Sequence, residues 1–176
     1  GKRKKDGIFY TPEFVTRYIV QEAVGGWLED RKEELHFEKL PELLEEDYNS
    51  IVIGRKIDKK TRKKVDALKF NAKVGKHINF WEAYKEKLYN IKVLDPACGS
   101  GAFLNQVFDY LYIEGQKVNK QLAKLKGGQS DLFDLEKHIL NNNIFGIDLN
   151  PESVEITKLS LWLKTANKEK ELNSLD

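Results

Sequence analysis

Hydrophobic side chains recur at helical spacing near the start of the chain, over residues 14–27. Thr11 is a suitable N-cap for this helix, and Pro12 suits its first position. The glycine pair at residues 25–26 is expected to fray its end. A second helix is predicted over residues 77–88, where apolar side chains follow one side.

The hydrophobic period changes in the second half of the chain. Residues 91–95 form a short apolar run that ends in an aspartate and leads into a proline and a Gly-Ser-Gly turn, which predicts a buried strand. Residues 102–113 return to helical spacing, and that helix is expected to end near Gly115. Residues 143–148 predict a second strand that also ends in an aspartate. This order is typical of a β–α–β unit, whose ligand crevice lies at the carboxyl ends of the strands.

Three further helices complete the prediction. Residues 117–125 and 131–140 favour two short helices on either side of a glycine break at residues 127–128. Asn150 can cap the last helix, with Pro151 at its first position. The apolar side of that helix is expected to consist of Ile156, Leu159 and Leu163.

The composition is that of one globular domain, with 176 residues of which 40% are hydrophobic. The single cysteine, Cys98, excludes an internal disulfide and favours a reducing compartment, so we expect a cytoplasmic protein. No apolar run approaches the roughly 18 residues that a membrane span needs, so no membrane partner is expected. The chain contains no Met, even at its first position, and we therefore expect it to be a piece of a longer protein.

Basic and acidic side chains nearly balance, with a net charge of +2, so the total charge does not by itself indicate a nucleic-acid partner. The charges are, however, segregated along the chain. Residues 33–48 are acidic and residues 55–66 are basic. Two interpretations stay open. The favoured one is a pair of solvated segments that attract each other across a surface loop, since charge runs are usually solvated faces. The other is a basic loop that contacts phosphates.

The candidate chemistry lies at the ends of the two predicted strands. Gly99 and Gly101 would let the backbone approach a ligand closely, and the helix that follows points its N-terminus there. Asp148, at the end of the second strand, is placed to accept hydrogen bonds from both hydroxyls of a ribose. Asp95 stands directly before the turn, where a carboxylate would repel a pyrophosphate but would hold a ligand that carries an ammonium and a sulfonium group. S-adenosylmethionine is such a ligand.

A nicotinamide or flavin dinucleotide fits the pattern less well. The fingerprint for those cofactors requires a small residue three places after the second glycine, and Leu104 occupies that place. The second acid should also follow the first strand by about 20 residues. Here Asp148 lies 53 positions beyond Asp95.

Residues 95–104, Asp-Pro-Ala-Cys-Gly-Ser-Gly-Ala-Phe-Leu, resemble the S-adenosylmethionine motif of adenine-N6 DNA methyltransferases. Residues 9–12, Phe-Tyr-Thr-Pro, are similar to the extra cofactor motif that these enzymes place ahead of it. Residues 143–152 resemble their ribose-binding strand and the helix that follows. The large methyltransferases of type IIG and related restriction–modification or phage-defence systems are the most similar, because their long Lys-Gly-Gly-Gln-containing insertion is similar to residues 126–129 and accounts for the wide spacing of the two acids.

The resemblance implies the fold class: α/β, an incomplete Rossmann-like class I S-adenosylmethionine-dependent methyltransferase fold with an N-terminal helical extension. Residues 1–176 would form a single partial methyltransferase domain. Its helical N-terminal part would be residues 7–89, with the Phe-Tyr-Thr-Pro motif and a charged insertion. Its cofactor-binding part would be residues 90–176, with a helical insertion at residues 115–141.

The resemblance also implies a role for each matching residue. Thr11, with Pro12, would contact the methionine carboxylate end of the cofactor, and Asp95 would hold its ammonium group. Asp148 would bind the ribose hydroxyls, and Leu149 would pack on the adenine ring. The turn that wraps the methionine moiety would consist of Pro96, Ala97, Cys98, Gly99 and Gly101. The motif explains a small residue at position 98, which disfavours a catalytic thiol there.

The chain departs from the family in one respect. The Asn-Pro-Pro-Tyr-type motif that holds the flipped target base is missing, and the sole Asn-Pro, at residues 150–151, is followed by Glu152. We therefore expect the catalytic motif to lie beyond Asp176 and this chain to be inactive by itself. No metal site is expected, because the three histidines lie at unrelated spacings.

The implied partner is double-stranded DNA, bound through the full-length protein, with no indication of the oligomeric state. Two alternatives remain. The same fold could methylate RNA or protein, or the chain could be a non-catalytic nucleic-acid-binding module with a vestigial pocket.

Overall fold

The computed structural model describes residues 11–48, 52–128 and 134–173. Phe9, Tyr10 and Gln129, which belong to the sequence motifs, lie outside these residues. The helices are α1 (Glu13–Val20), α2 (Gly26–Glu34), α3 (Glu45–Tyr48), α4 (Ala72–Asn90), α5 (Ala102–Leu125), α6 (Leu135–His138) and α7 (Pro151–Asn173). The strands are β1 (Val52–Ile57), β2 (Lys64–Lys69), β3 (Val93–Asp95) and β4 (Ile144–Gly146). π-helical turns occupy Gln21–Gly25 and Ile139–Asn143, and a 3₁₀ turn occupies Phe37–Lys39.

A two-stranded parallel sheet stands at the centre of the second half of the chain. β3 and β4 pair in register, with Val93 opposite Ile144 and Asp95 opposite Gly146. The predicted order of strand, glycine turn, helix and strand is therefore confirmed. The prediction that the first strand is buried was wrong, because Leu94 is exposed and its two neighbours in β3 are half-buried. The protein is a mixture of helix and strand around a small parallel sheet, which is consistent with an incomplete α/β fold.

The main core surrounds α5, which packs against α1, α4 and the sheet. Tyr84 of α4 and Phe108 of α5 are completely buried in it. The Tyr84 hydroxyl donates to Oε1 of Glu114 at 2.9 Å, which satisfies its polar end inside the core. Helix α5 therefore connects the sheet to the N-terminal helices and supports the turn that precedes it.

The helix after the glycine turn is much longer than predicted. It runs without a break through Gly115 to Leu125, so the expected end near Gly115 and the separate helix at 117–125 were wrong. Gly115 is buried, and a Cβ there would lie 2.7 Å from a methyl group of Leu135. The glycine makes room for α6 to pack closely, and it does not mark a helix end.

The first helix also continues past its predicted end. Helical structure extends through the glycine pair at residues 25–26 to Glu34, because Val20, Val24 and Leu28 continue one buried stripe at a spacing of four residues. Its start differs as well. Pro12 occupies the N-cap position with no side-chain cap, so Thr11 does not cap this helix as predicted.

The basic segment at residues 55–66 is not an irregular surface loop. β1 and β2 form an antiparallel hairpin in which Val52 pairs with Lys69 and Ile57 pairs with Lys64. The sequence pattern concealed these strands, because charged residues interrupt the alternation of apolar and polar positions on which strand prediction depends.

The last helix is capped as predicted but faces the core with a different side. Oδ1 of Asn150 accepts a hydrogen bond from the backbone N–H of Glu152 at 2.9 Å. Over residues 151–166, where the side chains are described, the buried positions are Thr157 and Leu161. The predicted apolar side is exposed instead: Ile156, Leu159 and Leu163.

Candidate functional site: the carboxyl edge of the parallel sheet

A tight glycine turn connects β3 to α5. The backbone N–H of Gly101 donates to the carbonyl of Cys98 at 2.8 Å, and both Gly99 and Gly101 have left-handed φ values, of 52° and 86°. The space around the two glycines differs. A Cβ on Gly101 would lie 2.8 Å from the side chain of Thr157, whereas a Cβ on Gly99 would meet nothing within 4 Å. The described protein atoms therefore leave space beside the α-carbon of Gly99, whereas Thr157 fills the corresponding space beside Gly101.

The second strand is joined to this turn by an extension of the backbone ladder. The N–H of Ile147 donates to the carbonyl of Asp95, and the N–H of Cys98 donates to the carbonyl of Ile147, both at 2.9 Å. The turn and the end of β4 are thus held side by side. The two strand-end aspartates consequently lie at the same edge of the sheet.

Asp148 uses its carboxylate to hold that edge. Oδ2 accepts the N–H of Gly99, and Oδ1 accepts the N–H of Asn150, each at 2.8 Å. These two backbone donors, Asn150 first, lower the pKa of Asp148 below its ordinary value of 3.8. The carboxylate is therefore ionised at neutral pH, and each oxygen keeps a second lone pair for another donor.

Asp95 has one satisfied and one unsatisfied oxygen. Oδ1 accepts the N–H of Ala97 at 3.1 Å, while Oδ2 is buried and has no hydrogen-bond partner among the described residues. A buried carboxylate oxygen without a donor is costly, so native proteins normally supply one. An ammonium group of a ligand would satisfy this oxygen, and the residues present therefore fit a cationic amino acid moiety.

Cys98 is buried between the two acids. Burial, together with the negative charges of Asp95 and Asp148, raises the pKa of its thiol above the ordinary value of 9.0. Such a thiol is protonated at neutral pH and is a poor nucleophile. The charges that suppress the thiolate would also repel a pyrophosphate at this edge.

The sequence analysis missed two side chains that support the turn. Thr157 of α7 is buried, and its hydroxyl donates to the carbonyl of Gly99 at 3.0 Å. Asn105 of α5 donates from Nδ2 to the carbonyl of Gly101 at 2.8 Å and to Oγ of Ser160 at 2.9 Å. A polar residue on the buried side of α7, between Val154 and Leu161, was the one signal that pointed to Thr157.

The remaining four predicted site residues are not tied to this edge by any described hydrogen bond. Leu149 is fully exposed beside Asp148. Thr11 is half-buried and Pro12 is exposed, and none of the described hydrogen bonds connects either of them to the glycine turn or to Asp148. Pro96 is exposed next to Asp95. Contacts of the cofactor with these four residues stay predictions.

Within the described residues, no cluster of three or more His, Cys, Asp or Glu side chains could hold a metal ion. Among the described helices, none combines the length and the apolar character that a membrane crossing requires.

Comparison with known proteins decides the family. The family model described as "MmeI, DNA-methyltransferase domain" matches residues 70–175, which include the sheet and its carboxyl edge. The chain belongs to this family. The MmeI-type methyltransferase domain confirms the resemblance on which the sequence analysis relied.

Two curated relatives agree with this assignment. The chain is 27% identical over 166 residues to the "Putative type II restriction enzyme and methyltransferase RM.MjaORFECS2P" of Methanocaldococcus jannaschii, an alignment that covers 89% of the chain and 12% of the relative. It is 23% identical over 155 residues to the "Adenine-specific methyltransferase BrxX" of Escherichia coli O9:H4, covering 88% of the chain and 10% of the relative. The MmeI-type chain thus spans about a tenth of the length of these relatives. No solved structure matches it.

Proposed function

We propose that this chain is the S-adenosylmethionine-binding portion of a site-specific DNA methyltransferase that methylates the N6 atom of adenine in a restriction–modification system. The observation that carries the proposal is the buried, unsatisfied Oδ2 of Asp95 at the same sheet edge as the ionised Asp148. Two carboxylates at one edge favour a cofactor with a cationic end and a ribose, and the methyltransferase family requires a methyl donor.

Within this proposal, the amino acid end of the cofactor lies against the glycine turn. Oδ2 of Asp95 accepts a hydrogen bond from the ammonium group, and the backbone of residues 97–101 encloses the methionine moiety. Thr11 and Pro12 contact its carboxylate. The open space beside Gly99 supports this arrangement, because a ligand can approach the backbone there.

The nucleoside end lies beyond the second strand. Asp148 accepts the ribose hydroxyls with the lone pairs that the N–H groups of Gly99 and Asn150 leave free. Leu149 covers one face of the adenine ring, and its full exposure in the protein alone leaves it available for that contact. The binding of the ring would remove this apolar side chain from water.

S-adenosylmethionine, when bound, supplies a sulfonium methyl group to the attacking nitrogen. The described residues bind and orient the cofactor, and positioning of this kind supplies much of the catalysis in direct group transfer. The chain contains no motif for a flipped base. We propose that the longer protein provides that motif and the target recognition, and that this chain is catalytically inactive alone.

The choice of adenine and of double-stranded DNA rests on the relatives. One of them is named as adenine-specific and the other as a restriction enzyme and methyltransferase. We assign the protein to the cytoplasm, where its lone cysteine stays reduced. The parallel β3–β4 pair, with helix α5 between its strands in the chain, supports an incomplete Rossmann-like class I fold. We propose residues 90–176 as its cofactor-binding part and residues 7–89 as its N-terminal part.

Titration of two ligands tests the proposed orientation. S-adenosylmethionine carries the ammonium group, and methylthioadenosine keeps the adenosine but lacks the amino acid. We expect Asp95→Asn to weaken the binding of S-adenosylmethionine at least tenfold, about 1.4 kcal/mol, without weakening that of methylthioadenosine. Asp148→Ala should weaken the binding of both ligands. Asp30→Asn, an exposed aspartate on α2, is the matched control and should weaken neither. Equal loss of both ligands in Asp95→Asn would contradict the assignment.

A further inference from the structure

The β1–β2 hairpin ends in a well-ordered turn. The N–H of Asp58 donates to the carbonyl of Lys63 at 2.9 Å, and the N–H of Arg62 donates to the carbonyl of Asp58 at 2.8 Å. Oδ1 of Asp58 accepts three more hydrogen bonds, from the N–H groups of Lys60 and Thr61 and from the hydroxyl of Thr61. The turn is therefore organised by its own backbone and by one aspartate, and its cationic side chains are not needed to hold it.

Those cations make the tip strongly basic. The exposed basic residues of the tip are Lys59, Lys60, Arg62, Lys63 and Lys64. Among the described side chains, none of these five forms an ion pair. None of the described ion pairs joins the acidic segment to these five cations, and Asp47 of that segment lies 3.5 Å from Lys73. Residues 58–64 carry these five cations and one carboxylate, that of Asp58, so the turn keeps a large excess of positive charge and gains from an anionic partner.

The base of the hairpin is fixed to the protein. Tyr48, before β1, and Phe70, after β2, pack against a buried cluster formed by Val74, Ile78 and Leu125. The ammonium group of Lys124 lies 4.3 Å from the centre of the Tyr48 ring. A six-residue strand spans about 20 Å, so the tip can project that far from its anchored base.

The hairpin is distant from the cofactor edge. Its base packs at the C-terminal end of α5, whereas the glycine turn lies at the N-terminal end of the same helix. The 24 residues of α5 span about 36 Å, which is close to one helical turn of duplex DNA. Because the base of the hairpin and the glycine turn lie at opposite ends of this helix, the basic tip requires an explanation separate from cofactor binding.

We propose that the tip of the β1–β2 hairpin, residues 58–64, contacts the phosphate backbone of duplex DNA away from the base that is methylated. A two-stranded ribbon fits the major groove, and lysine and arginine side chains on its tip reach phosphates. Residues 58–64 contain no apolar side chain, and the neighbouring Ile57, which is exposed opposite Lys64, is a single apolar side chain with little area to insert into a lipid surface, which favours DNA over a membrane. The inference rests on the proposed function in so far as DNA is the substrate.

Three lysines of the tip can be neutralised without disturbing the turn, because the hydrogen bonds of the turn involve backbone atoms, Asp58 and Thr61. The variant combines Lys59→Gln, Lys60→Gln and Lys63→Gln. The control combines Lys76→Gln, Lys87→Gln and Lys120→Gln, which removes three exposed charges from α4 and α5. The two variants have the same net charge, so they separate the tip from the overall field of the protein.

Fluorescence anisotropy measures how each protein binds a fluorescein-labelled duplex of about three helical turns. The two variants and the unaltered chain are each titrated at several salt concentrations. We expect the tip variant to bind roughly tenfold or more weakly at low salt and its salt slope to fall by up to about 3, since each phosphate contact adds about 0.9. The control should keep both the affinity and the slope.

Equal behaviour of the tip variant and the control, whether both bind weakly or both bind well, would overturn the proposal. Tip-dependent binding to phosphatidylserine vesicles without tip-dependent binding to the duplex would also overturn it and would indicate a membrane partner. Titration of the unaltered chain and of the tip variant with S-adenosylmethionine distinguishes failure of this inference from failure of the proposed function. If the unaltered chain does not bind S-adenosylmethionine, the proposed function is refuted. If both bind it but the tip variant and the control bind DNA equally, only this inference is refuted.

Discussion

The backbone N–H of Gly99 donates a hydrogen bond to Oδ2 of Asp148 at 2.8 Å, across 49 positions of the chain. This bond joins the turn after the first strand to the acid after the second. The edge of the sheet is thereby organised before any ligand arrives, and a preorganised site loses less conformational entropy on binding. This carboxylate therefore has a structural task, and under the proposed function it has a ligand-binding task as well.

The structural task of Asp148 makes stability depend on pH. The folded-state pKa is lowered, so the contribution of this group is present above its unfolded value of 3.8 and is lost as the pH falls through the folded value. We expect Asp148→Asn to lower the melting temperature at pH 6 and the difference from the unaltered chain to shrink below about pH 4. A pH series of thermal unfolding curves measures this, and a constant difference would contradict it.

The two turn glycines should differ in their tolerance of alanine. Gly99→Ala is expected to cost about 1–2 kcal/mol, from the left-handed conformation alone. Gly101→Ala should cost about 1–3 kcal/mol more, since its Cβ would overlap Thr157. Chemical denaturation measures the two free energies of unfolding. Gly26→Ala, in a helix with nothing within 4 Å, is the control and should not destabilise the protein. An equal cost at positions 99 and 101 would contradict this packing.

Thr157 is expected to act as a positioning residue through the carbonyl of Gly99. Thr157→Val keeps the shape but removes the hydroxyl donor, which costs about 1 kcal/mol of stability. We also expect weaker binding of S-adenosylmethionine, because the turn loses a restraint. Thr157→Ser keeps the donor and should restore the affinity. If valine and serine give the same affinity, the hydroxyl does not position the turn.

Cys98 should be unreactive and dispensable. Its raised pKa and its burial predict slow reaction with a thiol reagent at pH 7.5, with the rate still rising beyond pH 9. Cys98→Ala should bind S-adenosylmethionine within about twofold of the unaltered chain, about 0.4 kcal/mol. Fast labelling at neutral pH would show that the thiol is neither buried nor suppressed by the two acids.

The elements that local sequence determines were predicted well. β3, β4 and the Asn150 cap each depend on residues that are adjacent in the chain, and the structure contains all three. Two of the failures have long-range causes. Gly115 was mistaken for a helix end because its role depends on Leu135, 20 positions away. The side of α7 that faces the core carries Thr157, whose hydrogen bond to Gly99 spans 58 positions, so its burial could not be predicted from apolar spacing alone.

In the candidate site as well, the features set by neighbouring residues were predicted, and those set by tertiary packing were not. The sequence motif identified both strand-end aspartates, since strand ends and acids can be recognised locally. It did not indicate that Oδ2 of Asp95 is buried without a partner, nor that the carboxylate of Asp148 holds Gly99 and Asn150. These properties depend on how the turn and the second strand pack together. They are also the properties that favour a cationic cofactor with a ribose.

Calorimetric titration with S-adenosylmethionine tests where the cofactor binds. It compares the unaltered chain, Asp148→Ala and the control Asp30→Ala. Circular dichroism first establishes that the variants are folded. We expect saturable binding by the unaltered chain and by Asp30→Ala, and loss of that binding in Asp148→Ala. Binding of equal affinity by all three would contradict the placement of the cofactor at the carboxyl edge of the parallel sheet.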